Sequence, residues 1–201
     1  DMMRAWVEYQ SRADRQFDGV RTVDGELMPD CSDISSENLI QIQQSRGDHL
    51  TFDASTPFIL TATAYAAYVA GLLARTAELL GKTDDAKRYT ERYENVKRAF
   101  NEAWVCEDGS IAYWGEMSKS EPDSFGNIIN RTRYAEGEDK TKRPSQTAYA
   151  LALDFELIPE EKREMAAKCL RRAVTDRDNR LSVGFLGIEH LVPALCKSGD
   201  Y

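Results

Sequence analysis

The sequence predicts an all-α fold of helical hairpins with long loops gathered on one side. Residues 57–104 read as helix, short turn, helix. Proline opens a helix-like stretch at Pro57, Pro144 and Pro159, where its missing N–H costs nothing. Each proline is followed by apolar residues at helical spacing, and strand-like alternation is scarce.

The elements follow in chain order. Met2, Met3, Trp6, Tyr9 and Ala13 put a helix over residues 1 to about 16. No capping segment precedes Asp1, so the chain is expected to be an excerpt of a longer one. Helical period is then lost as far as Ser55. Gly19, Gly25, Pro29, Asp30 and Ser32 are turn formers, Val20, Thr22 and Val23 suit a short strand or none, and Ile34–Gln43 suits one short helix. A connection of that length is functional or disordered more often than not.

In the first hairpin, Thr56 is the expected N-cap and Pro57 the first helical residue. Phe58, Ala62, Tyr65, Val69, Leu72, Leu73, Ala77 and Leu80 form its apolar stripe, and further alanines keep the surface thin. Gly81 is the expected C′ residue. Asp84 and Asp85 favour the next helix start. Ala86, Tyr89, Tyr93, Val96, Phe100 and Trp104 lie on that helix's apolar face. Cys106–Lys142 is again irregular: Asp108-Gly109 marks a turn, Ile111, Tyr113 and Trp114 are pinned to a core, and Ser118–Thr141 is polar and expected to be mobile. A helix follows Pro144, with Thr147, Ala148, Leu151, Ala152 and Phe155 on one face. Another begins with Pro159 at its first position and buries Ala166, Cys169, Leu170, Ala173 and Val174. A last helix runs from Ile188 to Lys197.

The chain has 201 residues, enough for one large domain, and 1–201 is read as a single one. A net charge of −8 without a basic stretch opposes nucleic acid and anionic membrane surfaces, and leaves a neutral sugar as an acceptable ligand. No apolar run is read as long enough to span a bilayer. Cys31, Cys106, Cys169 and Cys196 form no CxxC pair and have no His at ligand spacing, so neither zinc nor a disulfide framework is expected. Cys169 and Cys196 read as buried thiols. No cofactor motif is found.

Residues 63–104 have the character of helical-repeat pairs, but no 34-residue period recurs. Short turns on one side and long loops on the other suit a closed α/α toroid better than an open solenoid. Three blocks then carry a family resemblance. They are Gly47-Asp48-His49-Leu50-Thr51-Phe52-Asp53 with Thr56-Pro57 and Thr61–Tyr65; Ser145–Leu153 with Leu157-Ile158-Pro159-Glu160-Glu161; and Gly184-Phe185-Leu186-Gly187 with Leu191–Leu195. Together they resemble the catalytic domain of bacterial α-L-rhamnosidases of glycoside hydrolase family 78. The resemblance implies an (α/α)6 toroid, of which the six or seven helices here form about half. It implies inverting hydrolysis of a terminal α-L-rhamnoside by a bacterial enzyme; the compartment, cytoplasmic or periplasmic, is left open. It also implies that the general acid lies upstream of this chain and the general base downstream, so the chain alone is expected to be inactive. Two departures stand out: His49 replaces a Trp carried by many relatives, and Ile188-Glu189-His190 replaces Thr-Pro-Tyr.

Candidate substrate-binding residues are Asp48, His49, Arg46, Trp114 and Gln146. A carboxylate at the loop end accepts from sugar hydroxyls, and imidazole or indole faces suit pyranose C–H surfaces. The alternative for Asp48 is tying down its loop, for Arg46 solvation or pairing with Asp48, for Gln146 and Thr147 capping, and for Tyr113 and Trp114 core packing. Phe185 reads as loop packing between glycines, His190 as structural, and Glu116 as a weaker acid candidate. Another six-hairpin glycosidase, of trehalase or glucoamylase type, and a non-catalytic scaffold are the competing readings. An opened toroid leaves apolar helix faces bare, so a homodimer is expected.

Overall fold

The computed structural model describes residues 2–12, 16–17, 36–40, 48–50, 56, 58–111, 116–122, 128–133 and 145–199. The chain separates into two compact units. One takes the described residues of Asp1–Arg46, Phe58–Ala103 and Phe155–Leu157; the other takes those of Gly47–Pro57, Trp104–Asp154 and Ile158–Tyr201.

The first unit holds α1 (Met2–Gln10), β1 (Gln16–Phe17), β2 (Ser36–Ile40), α2 (Phe58–Leu79) and nearly all of α3 (Thr83–Trp104). Val7, Ala74 and Tyr89 join the first three helices in one core cluster, with Val69 and Leu73 packed against it. The buried face of α2 is its small-residue face: Ala64, Ala67 and Ala70 are fully enclosed. Phe58 and Leu80, expected on the apolar stripe, are exposed, as is Leu79. Small side chains let neighbours approach closely, and Gly71 meets the Tyr93 ring, 3.3 Å from where a Cβ would stand. The turn after α2 is a Schellman motif: Gly81 has φ +67°, its N–H donates to the Glu78 carbonyl, and Lys82 N–H donates to the Ala77 carbonyl. Tyr68 stacks on Phe155 with centroids 4.1 Å apart, and Tyr93 Oη donates to the Phe155 carbonyl at 3.1 Å.

Ser36–Ile40, expected to be helical, is a strand antiparallel to β1, with Gln16 opposite Ile40. Ile40 N–H also donates to Thr63 Oγ1 at 3.0 Å, so α2 supplies a partner that a short local helix would lack. By length and composition α2 could cross a bilayer, which corrects the sequence reading; half of that stretch is buried within the fold, as in a core helix.

The second unit holds β3 (Glu116–Pro122), β4 (Ile128–Arg133), α4 (Gln146–Asp154), α5 (Glu160–Thr175) and α6 (Ile188–Lys197). β3 and β4 pair antiparallel, with Glu116 opposite Arg133, inside the stretch expected to be loop. Every residue of α4 from Gln146 to Leu153 is buried, not one face alone. Such a helix is enclosed by its neighbours all round, here α5 and α6 among others. Pro159 stands at the N-cap of α5, one place earlier than expected, with Glu160 and Glu161 in the first turn. The turn at 106–111 closes as expected: Gly109 has φ +83°, and Asp108 Oδ1 accepts from Ser110 N–H at 2.9 Å and Ser110 Oγ at 2.6 Å. Cys106, Cys169 and Cys196 are free thiols; Cys196 is exposed and Cys169 half-buried, so neither is the enclosed thiol expected. Cys31 lies outside the described residues.

Candidate functional site

The site is built around the start of α4. Ser145 caps that helix, its Oγ accepting from Ala148 N–H at 3.2 Å. The Ser145 and Thr56 hydroxyls are also bonded to each other at 2.6 Å, so the described bond of Thr56 reaches α4 rather than the start of α2. Gln146 is fully buried and its amide is spent inside the fold. Nε2 donates to the carbonyls of Ala173 and Arg180, both at 3.0 Å, and Oε1 accepts from Ser182 N–H at 2.8 Å. It thereby fixes the chain between α5 and α6.

At the next residue, Thr147 Oγ1 donates to Asp48 Oδ2. The same oxygen accepts from Gly184 N–H at 2.8 Å, while Oδ1 accepts from Leu186 N–H at 2.8 Å and Gly187 N–H at 3.2 Å. Phe185 N–H donates to the His49 carbonyl at 3.0 Å. Gly184 to Gly187 thus turn all of their N–H groups onto residues 48 and 49. Converging N–H groups at the start of α6 form a concavity that favours a carboxylate. Asp48 is 7% exposed. The role its contacts describe is the loop tie that the sequence left as an alternative.

The two glycines are demanded by close approach, not by unusual backbone angles. A Cβ at Gly184 would collide with the His49 carbonyl and lie 2.7 Å from the Asp48 carbonyl oxygen. One at Gly187 would collide with Thr147 Oγ1 and lie 2.9 Å from Val183 Cβ. A Gly-x-x-Gly pair directly before a helix was the signal in the sequence, although its partner Asp48, 136 and 139 residues away, was not readable from it.

Above this buried tie stand two rings. His49 is exposed, and Phe185 is 67% exposed, which corrects its reading as loop packing. Their centroids are 6.1 Å apart with the planes tilted by 34°. Leu50 follows at φ 68°, a left-handed conformation costing a branched residue about 1–2 kcal/mol and held only where the surroundings over-determine it. Two unequal aromatic faces beside each other, open to solvent, can receive an apolar C–H surface such as one side of a pyranose.

His190 has a structural role, as expected. Its Nδ1 is 2.7 Å from Asp154 Oδ2 at the end of α4, and Lys197 Nζ reaches Asp154 Oδ1 at 2.9 Å. Arg46, Tyr113 and Trp114 lie outside the described residues, and Glu116 is described through its backbone alone, in β3. Among the described residues, no three His, Cys, Asp or Glu side chains converge as metal ligands would.

Comparison with known proteins bears on what this arrangement serves. The family model for the bacterial alpha-L-rhamnosidase 6 hairpin glycosidase domain matches residues 3–201. An alpha-L-rhamnosidase of Streptomyces avermitilis is 32% identical over 196 residues, which cover 96% of this chain and 16% of the relative. An alpha-L-rhamnosidase of Formosa agariphila is 27% identical over 201 residues, 100% of this chain and 17% of the relative. The crystal structure of the Streptomyces avermitilis enzyme complexed with L-rhamnose matches with a TM-score of 0.65 and 28% identity, covering 98% of this chain and 14% of that one. The native enzyme of Aspergillus terreus matches with a TM-score of 0.62 over 98% of this chain and 18% of that one; at 22% identity this is a likeness of fold. The chain spans about one sixth of the length of the curated relatives it matches.

Proposed function

The chain belongs to the six-hairpin glycosidase domain family of bacterial alpha-L-rhamnosidases, and from that premise we propose that it is part of the catalytic domain of an enzyme that removes terminal α-L-rhamnose with inversion. The match along essentially the whole chain carries this reading. Both compact units belong, in this proposal, to one catalytic domain. Inverting hydrolysis needs a carboxylic acid to protonate the leaving oxygen and a carboxylate to activate water, roughly 6.5–9.5 Å apart. Neither group is assigned to this chain, so the 201-residue piece is inert on its own.

What the piece contributes is shape. His49, with Phe185 beside it, receives one face of the sugar; Arg46 and Trp114 are retained as further contacts. Asp48 and Gln146, with their polar atoms spent internally, act from beneath. The exposed apolar residues Met2, Met3 and Trp6 of α1, and Ile188 and Val192 of α6, favour a homodimer of the isolated chain. A monomer in sedimentation equilibrium would remove that part of the proposal.

The test is hydrolysis of an aryl α-L-rhamnoside by the longer protein and by the 201-residue chain, with an aryl α-glucoside as control. Turnover of the rhamnoside alone, by the longer protein alone, is the expected result. Turnover of the glucoside instead would put the protein in the trehalase or glucoamylase class. Rhamnoside turnover by the short chain, lost on changing one of its own carboxylates, would mean that a principal acid lies within it.

A further inference from the structure

We propose that Asp48 is a positioning residue that sets the spacing of the His49 and Phe185 rings and does not itself contact the sugar. The proposal rests on the reading of His49 as a substrate contact. A carboxylate has about four lone-pair positions. In Asp48 they are taken by Thr147 Oγ1 and by the N–H groups of Gly184, Leu186 and Gly187. None of these donors lies in the segment that carries Asp48, so a single side chain joins three stretches of sequence.

The registration is fine-grained. Phe185 N–H goes to the His49 carbonyl, between the N–H groups of Gly184 and Leu186, which go to the Asp48 side chain. The backbone from which each ring projects is therefore fixed against the other by hydrogen bonds on both sides. The glycines admit no Cβ, so the two backbones stand at their closest approach. Leu50, left-handed at φ 68°, shows the loop held in a conformation its own residues do not favour. A hydroxyl of the sugar would have to displace one of these donors to reach the carboxylate.

The experiment is a double-substitution cycle in the longer protein, read as KM and kcat on an aryl α-L-rhamnoside. Asp48→Asn should raise KM about three- to tenfold with kcat changed less than about twofold, because a binding surface is misplaced and no reacting group is lost. Thr147→Val, which removes one donor and keeps the carboxylate, should give a smaller rise in KM, and Thr147→Ser should restore it. Either variant placed in a His49→Ala background should add almost nothing. If Asp48→Asn or Thr147→Val raises KM by the same factor with and without His49, Asp48 acts independently of the ring and the positioning role is overturned. If His49→Ala itself leaves KM unchanged, the substrate-contact reading of His49 falls, and the positioning role falls with it. Thr147→Val keeps the cycle decisive should Asp48→Asn not fold.

Discussion

Two loop aspartates show how environment separates equal side chains. Asp108 sits at a surface turn, where the Ser110 hydroxyl, and next its backbone N–H, hold the carboxyl below the usual aspartate range. Its pKa is thus lower folded than unfolded, and acidification protonates the unfolded chain first. The stability it contributes is present in full above about pH 4 and lost as pH falls through the folded value. Asp108→Asn should therefore flatten the acid end of the stability curve, measured as urea midpoints at about pH 3 and about pH 7. Asp48, by contrast, is buried among donors from distant segments. Gly184→Ala should destabilise the fold by about 2–4 kcal/mol in chemical denaturation, since its Cβ meets carbonyl oxygens that have no room to retreat. The sequence placed Asp48 and His49 together at a loop end. It could not show which residues would meet them, because those contacts are long-range and a sequence pattern encodes only what is near.

Elements were legible where their punctuation is local. Gly81, the Asp84-Asp85 pair and Ile188–Lys197 are set by residues within a turn or two of themselves, and helices end and begin there as the spacing predicts. The inner surface of α2 was less legible. Hydrophobicity alone points to Phe58 and Leu80, yet the core takes the alanines, because close approach demands small volume. Ala67→Leu should accordingly cost about 1–3 kcal/mol through overpacking, whereas Leu79→Ala on the exposed flank should change the denaturation midpoint little. β2 escaped the sequence reading for a related reason: its partners, β1 and Thr63, lie about two dozen residues to either side.

For the whole molecule, the all-α class followed from hairpin spacing and capping, and the family followed from three separated blocks rather than from any one of them. The principal acid and base had to be argued from what the blocks omit. The bonds at Asp48 also impose an order of events on the growing chain. They join residues 99, 136, 138 and 139 positions apart, so the carboxylate has no native partner until Thr147 has been made, and not its full set until Gly187 has. At roughly 5–20 residues per second, ribosomal synthesis leaves the loop at Asp48 short of that full set for roughly 7–28 s after it is made. The first unit's hairpin can close well within that interval. The loop that carries Asp48 must wait for a turn that is encoded near the other end of the chain.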